Sequence, residues 1–412
     1  MTFQFIRQAV CKGTLALAAL ALAYGATPAH AADPIKVGFV GGISGFCAST
    51  IGPSVNAVKL AEEEINAAGG INGRPLELLI RDSKSKPDEG AKQARDLIEN
   101  EKVHMIMGPC SSSVWLAISP MAKEYKVPLV SAAAGSHRGT VDFGHPYIYQ
   151  GQQNAQMDAN AAAEYFTLKG WNNVVTIGLD YEWGHSFVDM FVERFKKINA
   201  KANVKKQLWP KFGESNMTSF ITATLAENPD AVFAASFGPT STALFKQGNA
   251  YGLSKRTNLV TIMTYKELAP LAGDMPDGFI GISRIPFWAM PNEKGRAYVR
   301  KYKERFGDYP DDFGTIAYDV LHHFAEGYRR NGGTDPDKLR VTMSSFTYEG
   351  VRGPVSFRFI DNTIQAPSLI GITKKLPEYP FSILTDIAYI PSDKTLPSEA
   401  EVNAARAAAA KQ

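Results

Sequence analysis

Apolar and polar positions alternate along the chain with two different periods from residue 35 onward. Short runs that are almost wholly apolar, such as "IKVGFV" (35–40) and "LELLI" (76–80), are typical of buried strands. The stretch between them has the helical period, because its apolar residues recur every three or four positions: Val55, Val58, Ala61 and Ile65. The pattern therefore predicts a strand, a helix and a second strand.

The same alternation continues to residue 131 and restarts after Gln150. The further apolar runs predict strands at 103–107, 127–131, 174–179, 204–209, 231–236 and 259–263. The stretches with helical period predict helices at 87–100, 111–125, 156–168, 184–198, 217–227 and 240–250. Strands that alternate with helices form parallel sheets with helices on both faces. Two such series predict two doubly wound α/β lobes.

The last third of the chain is less regular. It predicts strands at 278–283, 353–360 and 368–374, and helices at 292–306 and 315–330. No linker rich in glycine and serine separates the two series, which favours a chain that passes between the lobes more than once. The final stretch, 399–412, is polar and rich in alanine, and we expect it to be frayed.

The first residues have a different pattern. Arg7 and Lys12 precede an uncharged apolar run at 13–26, and "AHA" (29–31) follows with small residues where a signal peptidase cuts. The alternative, a transmembrane anchor, needs a longer apolar run. We therefore predict a secretory signal cleaved after Ala31. No later segment reaches about 18 apolar residues, so the mature protein is expected to be soluble and exported.

Composition and charge narrow the function classes. A length of 412 residues predicts two lobes or more, and the net charge of +3 is close to neutral for that length. The chain has no block of basic residues interleaved with aromatic ones, so we expect no nucleic-acid partner. No His, Cys and acidic side chains have the spacing of metal ligands, so no metal or cofactor is expected. Two cysteines follow the signal, Cys47 and Cys110, and such a pair in an exported protein suggests a disulfide.

The turn "GPCSSS" (108–113) comes where a predicted strand gives way to a helix. A nucleophile here would need a nearby base, and the chain contains no G-x-S-x-G elbow; His137 stays open as a base because spacing alone does not place it. A phosphate cradle would need a P-loop lysine or a G-x-G-x-x-G run. The free N–H groups and hydroxyls of a helix start suit a carboxylate. The alternative is that the serines only cap the helix.

Four segments in this order and spacing carry a family resemblance: 35–45, 65–94, "GPCSSS" and "VPLVSAAAG" (127–135). They resemble the periplasmic leucine/isoleucine/valine-binding proteins, the type I solute-binding proteins of ABC importers. The likeness runs from about residue 35 to about 375 and is weaker in the last third. It implies an α/β fold of two doubly wound parallel-sheet lobes, joined by three crossover strands, which close on a ligand.

The resemblance also implies partners and limits for the lobes. We expect a periplasmic protein, monomeric and not an enzyme, that serves an inner-membrane ABC permease. The N-terminal lobe is expected at 32–151 plus 284–352. The C-terminal lobe is expected at 152–283 plus 353–393, with a flexible tail at 394–412.

Candidate ligand residues of the first lobe follow from the same likeness. The family's serine that holds the ligand carboxylate aligns with Ser111, and Ser112 follows it. "SAAAGS" (131–136) aligns with a second wall, where a backbone N–H and a small or hydroxyl residue face the carboxylate. Gly135 stands in place of the family's threonine. The other candidates of the first lobe are Phe46, Ala133, Ala134 and Ser136.

In the second lobe Trp183 and Phe237 align with aromatic wall positions, although plain packing is the alternative. The family's acid, which holds a ligand ammonium, aligns with Tyr265 or Lys266, and neither can pair with an ammonium. Glu267 comes one residue later and would restore amino-acid binding if it faced the ligand. Lys266 or Arg284 could instead face an acid group.

We therefore expect an apolar or aromatic carboxylate as ligand, held between closing lobes. A branched-chain or other hydrophobic amino acid is the first alternative. A ligand-binding sensor would share the fold and is the second.

The resemblance bears on the cysteines too. In the family the cysteine of "GPCSSS" pairs with one in the preceding strand-end loop, and Ser85 occupies that place here. The first and third strands are neighbours in a flavodoxin-like order, which brings the loops of Cys47 and Cys110 side by side. A disulfide needs Cα atoms within about 7 Å, and spacing leaves that open.

Overall fold

A computed structural model describes residues 33–45, 47–211 and 213–411. The signal segment with its expected cleavage site, and Phe46, lie outside these residues. Within the described part of the chain, no helix is both long enough and apolar enough to cross a membrane.

The first sheet has five strands in the order β2-β1-β3-β4-β5, and all neighbours run parallel. Its strands are β1 (Ile35–Gly41), β2 (Leu76–Asp82), β3 (Met105–Met107), β4 (Leu129–Ser131) and β5 (Ile148–Gln150). The short strands β3, β4 and β5 are buried along their whole length, as expected for a parallel sheet covered on both faces.

The second sheet has seven strands in the order β15-β14-β10-β9-β8-β6-β7. Five are the predicted parallel strands: β6 (Asn173–Gly178), β7 (Asn203–Leu208), β8 (Ala231–Ala235), β9 (Asn258–Ile262) and β10 (Ile280–Ser283). At its edge, β14 (Ser368–Lys375) runs antiparallel to β10, and β15 (Ser382–Ile390) runs antiparallel to β14. The sheet is therefore mixed, and β15 was not among the predicted strands.

Three groups of helices accompany the sheets. The first lies between the strands of the first sheet or returns to it late in the chain: Ala48–Ala67, Pro87–Glu99, Ser112–Glu124, Glu293–Phe306, Asp312–Asn331 and Pro336–Ser344. The second alternates with the strands of the second sheet: Ala155–Leu168, Glu182–Ile198, Thr218–Ala226, Gly238–Ala250, Leu253–Arg256 and Tyr265–Leu268. The third follows β15: Ser392–Thr395 and Glu399–Ala409. Two α/β lobes, each built on one sheet, are thereby confirmed.

Helix Asp312–Asn331 begins three residues earlier than the hydrophobic pattern predicts. The Asp311 carboxylate caps it by accepting a hydrogen bond from the Gly314 N–H at 2.8 Å. The helix packs against helix Ala48–Ala67, so a late segment completes the core of the first lobe.

The expected lobe boundary at 352–353 does not agree with the packing. Strands β11 (Tyr348–Gly350), β12 (Gly353–Phe357) and β13 (Ile364–Gln365) form one small antiparallel sheet. Phe357 packs edge-on against Tyr149 of β5, at 5.6 Å between ring centroids. The boundary would therefore cut through a packed unit, and we propose that the third passage between lobes lies between β13 and β14.

The frayed tail expected from residue 394 is also incorrect. Ser398 and Glu401 form a capping box at the start of helix Glu399–Ala409, and Val402 of that helix is fully buried. An alanine-rich sequence has high helix propensity, and a buried valine and a well-bonded arginine are among the residues that dock this helix. The arginine is Arg406.

Candidate functional site

The loops that follow β3 and β4 lie side by side at the carboxyl ends of these strands. The Ala134 N–H donates a hydrogen bond to the Pro109 carbonyl at 2.8 Å, and the Ser136 N–H donates to the Ser112 hydroxyl oxygen at 3.1 Å. In open α/β sheets this edge is where ligands bind. The two serine-bearing loops expected from the sequence are therefore held together as one surface.

Ser111 is the N-cap residue of the 13-residue helix Ser112–Glu124. Its backbone is extended, yet its hydroxyl makes no capping hydrogen bond to the helix. The side chain is half-buried. A hydroxyl at this position, beside the N–H groups of the first helical turn, can donate to an anion. The prediction that the serines only cap the helix does not hold for Ser111.

The other predicted residues of this surface divide into two groups. Ser112 and Ser136 already accept hydrogen bonds, Ser136 from the Arg138 N–H at 3.3 Å, but each hydroxyl keeps a proton to donate. A Cβ added to Gly135 would meet no atom within 4 Å, so that position faces open space.

Ala134, in contrast, is fully buried. Its carbonyl oxygen accepts hydrogen bonds from the Ser131 hydroxyl and from the side-chain amides of Gln150 and Gln152. Its predicted contact with the ligand is therefore wrong, because it faces the interior of the loop. Ala133 is 9% exposed and is at the limit of what a ligand could touch.

Cys47 and Cys110 form a disulfide, with Cα atoms 6.3 Å apart. The reason lies in the sheet order, since β1 has β2 on one side and β3 on the other. The Ser85 hydroxyl, where the family has its cysteine, accepts a hydrogen bond from the Cys47 N–H at 3.3 Å. The disulfide thus links the loop before helix Ala48–Ala67 to the residue that precedes Ser111.

Aromatic rings line the corresponding edge of the second sheet. Trp183, which follows β6, packs edge-on against Phe237, which follows β8, at 5.3 Å between centroids. Tyr181 stacks on Trp183, with ring centroids 6.1 Å apart. All three rings are half-buried. We call Tyr181, Trp183 and Phe237 the aromatic wall. Its run "DYEWGHSF" (180–187) contains Tyr181, which sequence reasoning did not single out.

Tyr265 and Lys266, which were expected to face the ligand, both contact Asp308. The Tyr265 hydroxyl donates to the Asp308 carboxylate at 2.5 Å, and the Lys266 ammonium lies 3.3 Å from its other oxygen. Tyr265 is only 7% exposed and packs edge-on against Phe287, at 5.4 Å between centroids. Burial and the bond to Asp308 raise the pKa of Tyr265. Burial would raise the pKa of Asp308, but its hydrogen bonds outweigh this and lower it.

Glu267 is committed to its own helix. One carboxylate oxygen accepts hydrogen bonds from the Thr264 N–H at 2.9 Å and from the Thr264 hydroxyl, as the N3 residue of a capping box. Burial raises the pKa of Glu267 above its ordinary value. A carboxyl in this position is poorly suited to act as the free anion that a ligand ammonium requires.

The chain leaves the first sheet after β5 (the first passage) and leaves the second sheet after β10 (the second passage), and Arg284 directly follows β10. Its guanidinium donates to Asp158 at 2.7 Å and to the side-chain carbonyl of Gln152 at 2.9 Å. Asp158 belongs to helix Ala155–Leu168, and Gln152 to the first passage. Burial raises the pKa of Asp158, and the charge of Arg284 opposes that rise. Arg284 therefore ties the passages together and has no free fork for a ligand acid. Sequence reasoning missed both partners, because neither adjoins a recognisable motif.

A family model described as "Periplasmic binding protein" matches residues 34–372 of the chain. A leucine-, isoleucine-, valine-, threonine- and alanine-binding protein of Pseudomonas aeruginosa is 23% identical over 352 residues, which cover 84% of this chain and 92% of that protein.

Two solved structures have the same fold. A solute-binding protein of an ABC transporter from Rhodopseudomonas palustris BisB5, in complex with 3,4-dihydroxybenzoic acid, is 25% identical with a TM-score of 0.74 and covers 87% of this chain and 98% of its own. An ABC transporter substrate-binding protein from Sphaerobacter thermophilus is 21% identical with a TM-score of 0.80 and covers 88% of this chain and 100% of its own.

Proposed function

The chain belongs to the periplasmic binding protein family, and from this premise we propose that it captures a small aromatic carboxylate for an ABC importer. The observation that carries the proposal is a contrast between two loops. The loop after β3 offers an uncommitted hydroxyl at Ser111, while Lys266 and Glu267 in the loop after β9 are bonded to Asp308 and to Thr264.

The anion-binding half of the site is the surface formed by the loops after β3 and β4. Ser111 and the first-turn N–H groups of its helix are neutral donors, and Gly135 in the neighbouring loop leaves open space. A helix start favours negative charge through its free N–H groups and its dipole. The carboxylate of the ligand is expected here.

The apolar half is the aromatic wall of the second lobe. Its rings are half-buried, and Trp183 packs edge-on against Phe237, so the wall presents aromatic surface at the strand ends of the second sheet. Offset-stacked and edge-to-face aromatic pairs contribute about 0.5–1.5 kcal/mol beyond the burial of apolar area. The relative from Rhodopseudomonas palustris, solved with a dihydroxybenzoic acid, supports this ligand class.

An α-amino acid is disfavoured because its ammonium would lack a partner. Tyr265 and Lys266 are both directed at Asp308, and Glu267 caps its helix. An ammonium enclosed without an anion costs several kcal/mol. The name of the Pseudomonas relative keeps amino acids as the competing class.

A calorimetric panel on the purified mature protein tests the ligand class. We expect benzoate and hydroxybenzoates to bind at micromolar concentrations or tighter, and leucine, isoleucine and valine not to bind. Benzyl alcohol is the matched control, because it keeps the ring and lacks the carboxylate. Tight binding of leucine with no binding of aromatic acids would overturn the proposal.

Ser111→Ala should weaken every carboxylate ligand by about 1.5–3 kcal/mol, the range for a hydrogen bond to a charged group. Ser113→Ala is the matched control, because Ser113 is exposed on the same helical turn. The measurement is the dissociation constant of benzoate for both variants. Equal losses in the two variants would argue that Ser111 has no contact with the ligand.

Trp183→Ala should weaken benzoate by about 2 kcal/mol, the scale of a central aromatic hot spot, and should leave acetate almost unchanged. Tyr251→Ala is the control, since Tyr251 is an exposed aromatic residue of the second lobe. Comparing the two acids on each variant separates loss of the wall from general damage. A parallel loss of benzoate and acetate binding would contradict the stacking role.

The remaining parts of the proposal concern location and partners. We propose that a signal peptide ending at Ala31 directs the chain to the periplasm, where it acts without catalysis, as a monomer, and delivers ligand to an inner-membrane ABC permease. Hinge closure between two lobes is the motion that such a binding cycle requires. A decrease in the radius of gyration on adding ligand is the expected signature in solution scattering.

A further inference from the structure

The segment 392–409 contacts both lobes. It comprises helices Ser392–Thr395 and Glu399–Ala409 and follows the last strand of the second sheet. The family match ends at residue 372, so the segment lies beyond the matched part of the chain. We call residues 392–409 the strap.

The first half of the strap is fixed to the second lobe. The side-chain amide of Asn160 donates to the Thr395 carbonyl at 2.7 Å, and the Arg194 guanidinium donates to the Lys394 carbonyl at 3.1 Å. Lys197 pairs with Glu401 at 2.8 Å. Asn160 lies on helix Ala155–Leu168, while Arg194 and Lys197 lie on helix Glu182–Ile198, so the strap spans two helices of that lobe.

The strap is bonded to the first lobe through two arginine side chains. The Arg358 guanidinium, from the loop between β12 and β13, donates to the Pro397 carbonyl at 2.6 Å. The second arginine, Arg406, lies in the final helix of the strap. The Arg406 guanidinium donates to three backbone carbonyls: those of Thr140 at 3.0 Å, Val141 at 3.2 Å and Ile360 at 2.9 Å. Thr140 and Val141 belong to the loop between β4 and β5, and Ile360 to the loop between β12 and β13. These are parts of the first lobe, so Arg406 holds the strap across the junction.

The final helix of the strap leaves open space beside the first lobe. A cavity of about 570 Å³ lies between the strap and the first lobe, lined by Arg406, Ala409 and Ala410 on one side and by Pro120, Lys123 and Phe143 on the other. The cavity between the strap and the second lobe is only about 60 Å³, and Leu396, Pro397 and Glu401 line it from the strap. The strap is therefore bonded to the first lobe through Arg358 and Arg406, with open space beside the Arg406 bonds.

We propose that the strap is a tether that restricts the movement of one lobe against the other. A segment packed on the second lobe and bonded to the first must stretch or release when the lobes rotate. The Arg406 bonds therefore oppose rotation in the ligand-free protein, in addition to the covalent passages. The inference rests on the proposed hinge function for its role in the binding cycle, but its own test needs no ligand.

Pulsed electron paramagnetic resonance between two spin labels tests the tether. Lys92→Cys and Asp189→Cys place one exposed label on a helix of each lobe, and the native cysteines stay bonded and unlabelled. Arg406→Ala should at least double the width of the interlobe distance distribution in the ligand-free protein. Asn403→Ala is the matched control, because Asn403 is exposed on the same helix, and it should leave the distribution unchanged.

Truncation after Pro397 removes the whole final helix and should widen the distribution at least as much as Arg406→Ala. The truncation is included because neighbouring side chains in Arg406→Ala can replace the lost bonds, whereas a missing helix cannot be replaced. The tether would be overturned if both variants gave the same distance distribution as the labelled protein with an intact strap. If no aromatic acid binds in the calorimetric panel, the proposed ligand class fails. The interlobe distance distributions of the ligand-free protein would still test the tether.

Discussion

Arg284→Met should lower the free energy of unfolding by about 3–5 kcal/mol, the usual cost of removing one partner from a buried ion pair. The side chains of Arg284 and Asp158 are 10% and 1% exposed, so water cannot replace the lost partner. Burial already raises the pKa of Asp158 with the guanidinium present. Without it the carboxyl must stay charged in a buried site or take up a proton, and either outcome costs stability.

Urea unfolding of three variants checks this expectation. Arg95→Met is the control, because the ion pair of Arg95 with Glu99 is exposed on a helix surface and should contribute little. The double variant Arg284→Met with Asp158→Leu should recover much of the loss, because an apolar pair of similar volume needs no desolvation of charge. If Arg284→Met behaved like Arg95→Met, the pair would not hold the two passages together.

Replacing Cys47 and Cys110 together by serine should destabilise the protein by about 4 kcal/mol, the amount that closing a loop of this size removes from the unfolded chain. The two cysteines are 63 residues apart, and the loop contains β2 and the whole of β3. Binding of a carboxylate should weaken as well, because the disulfide ends at the residue before Ser111.

Reductant supplies an internal control for the disulfide. Adding dithiothreitol during unfolding should bring the unmutated protein to the stability of the double variant, and should leave the double variant unchanged. Thiol titration of the unfolded, unreduced protein should find no free thiol in the mature chain. Two free thiols would contradict the disulfide. Equal free energies of unfolding for the unmutated protein and the double variant, measured without reductant, would contradict its stabilising role.

The sequence by itself determined the alternating strands and helices of the two sheets, but not the strands β5, β11, β13 and β15. A buried strand is an apolar run and a helix repeats every three to four residues, so both are local signals. Because parallel strands end at one edge of a sheet, the positions of Ser111, Trp183 and Phe237 at strand ends followed from the alternation. The pairing of Cys47 with Cys110 was open to the same reasoning, since the loops of the first and third strands are neighbours.

Only the tertiary structure decided where the polar side chains of those loops are directed. The sequence predicted that Tyr265 and Lys266 are available to the ligand. The fold places Asp308, 43 residues after Tyr265, beside both side chains. Ala134 turned inward because Gln150 and Gln152 reach its carbonyl from another segment. The contacts of the strap could not be predicted from the sequence for the same reason, since the carbonyl partners of Arg406 are up to 266 residues away along the chain. Periodicity specifies which face of an element is buried, whereas a hydrogen-bond partner depends on which distant segment the fold brings within about 3 Å.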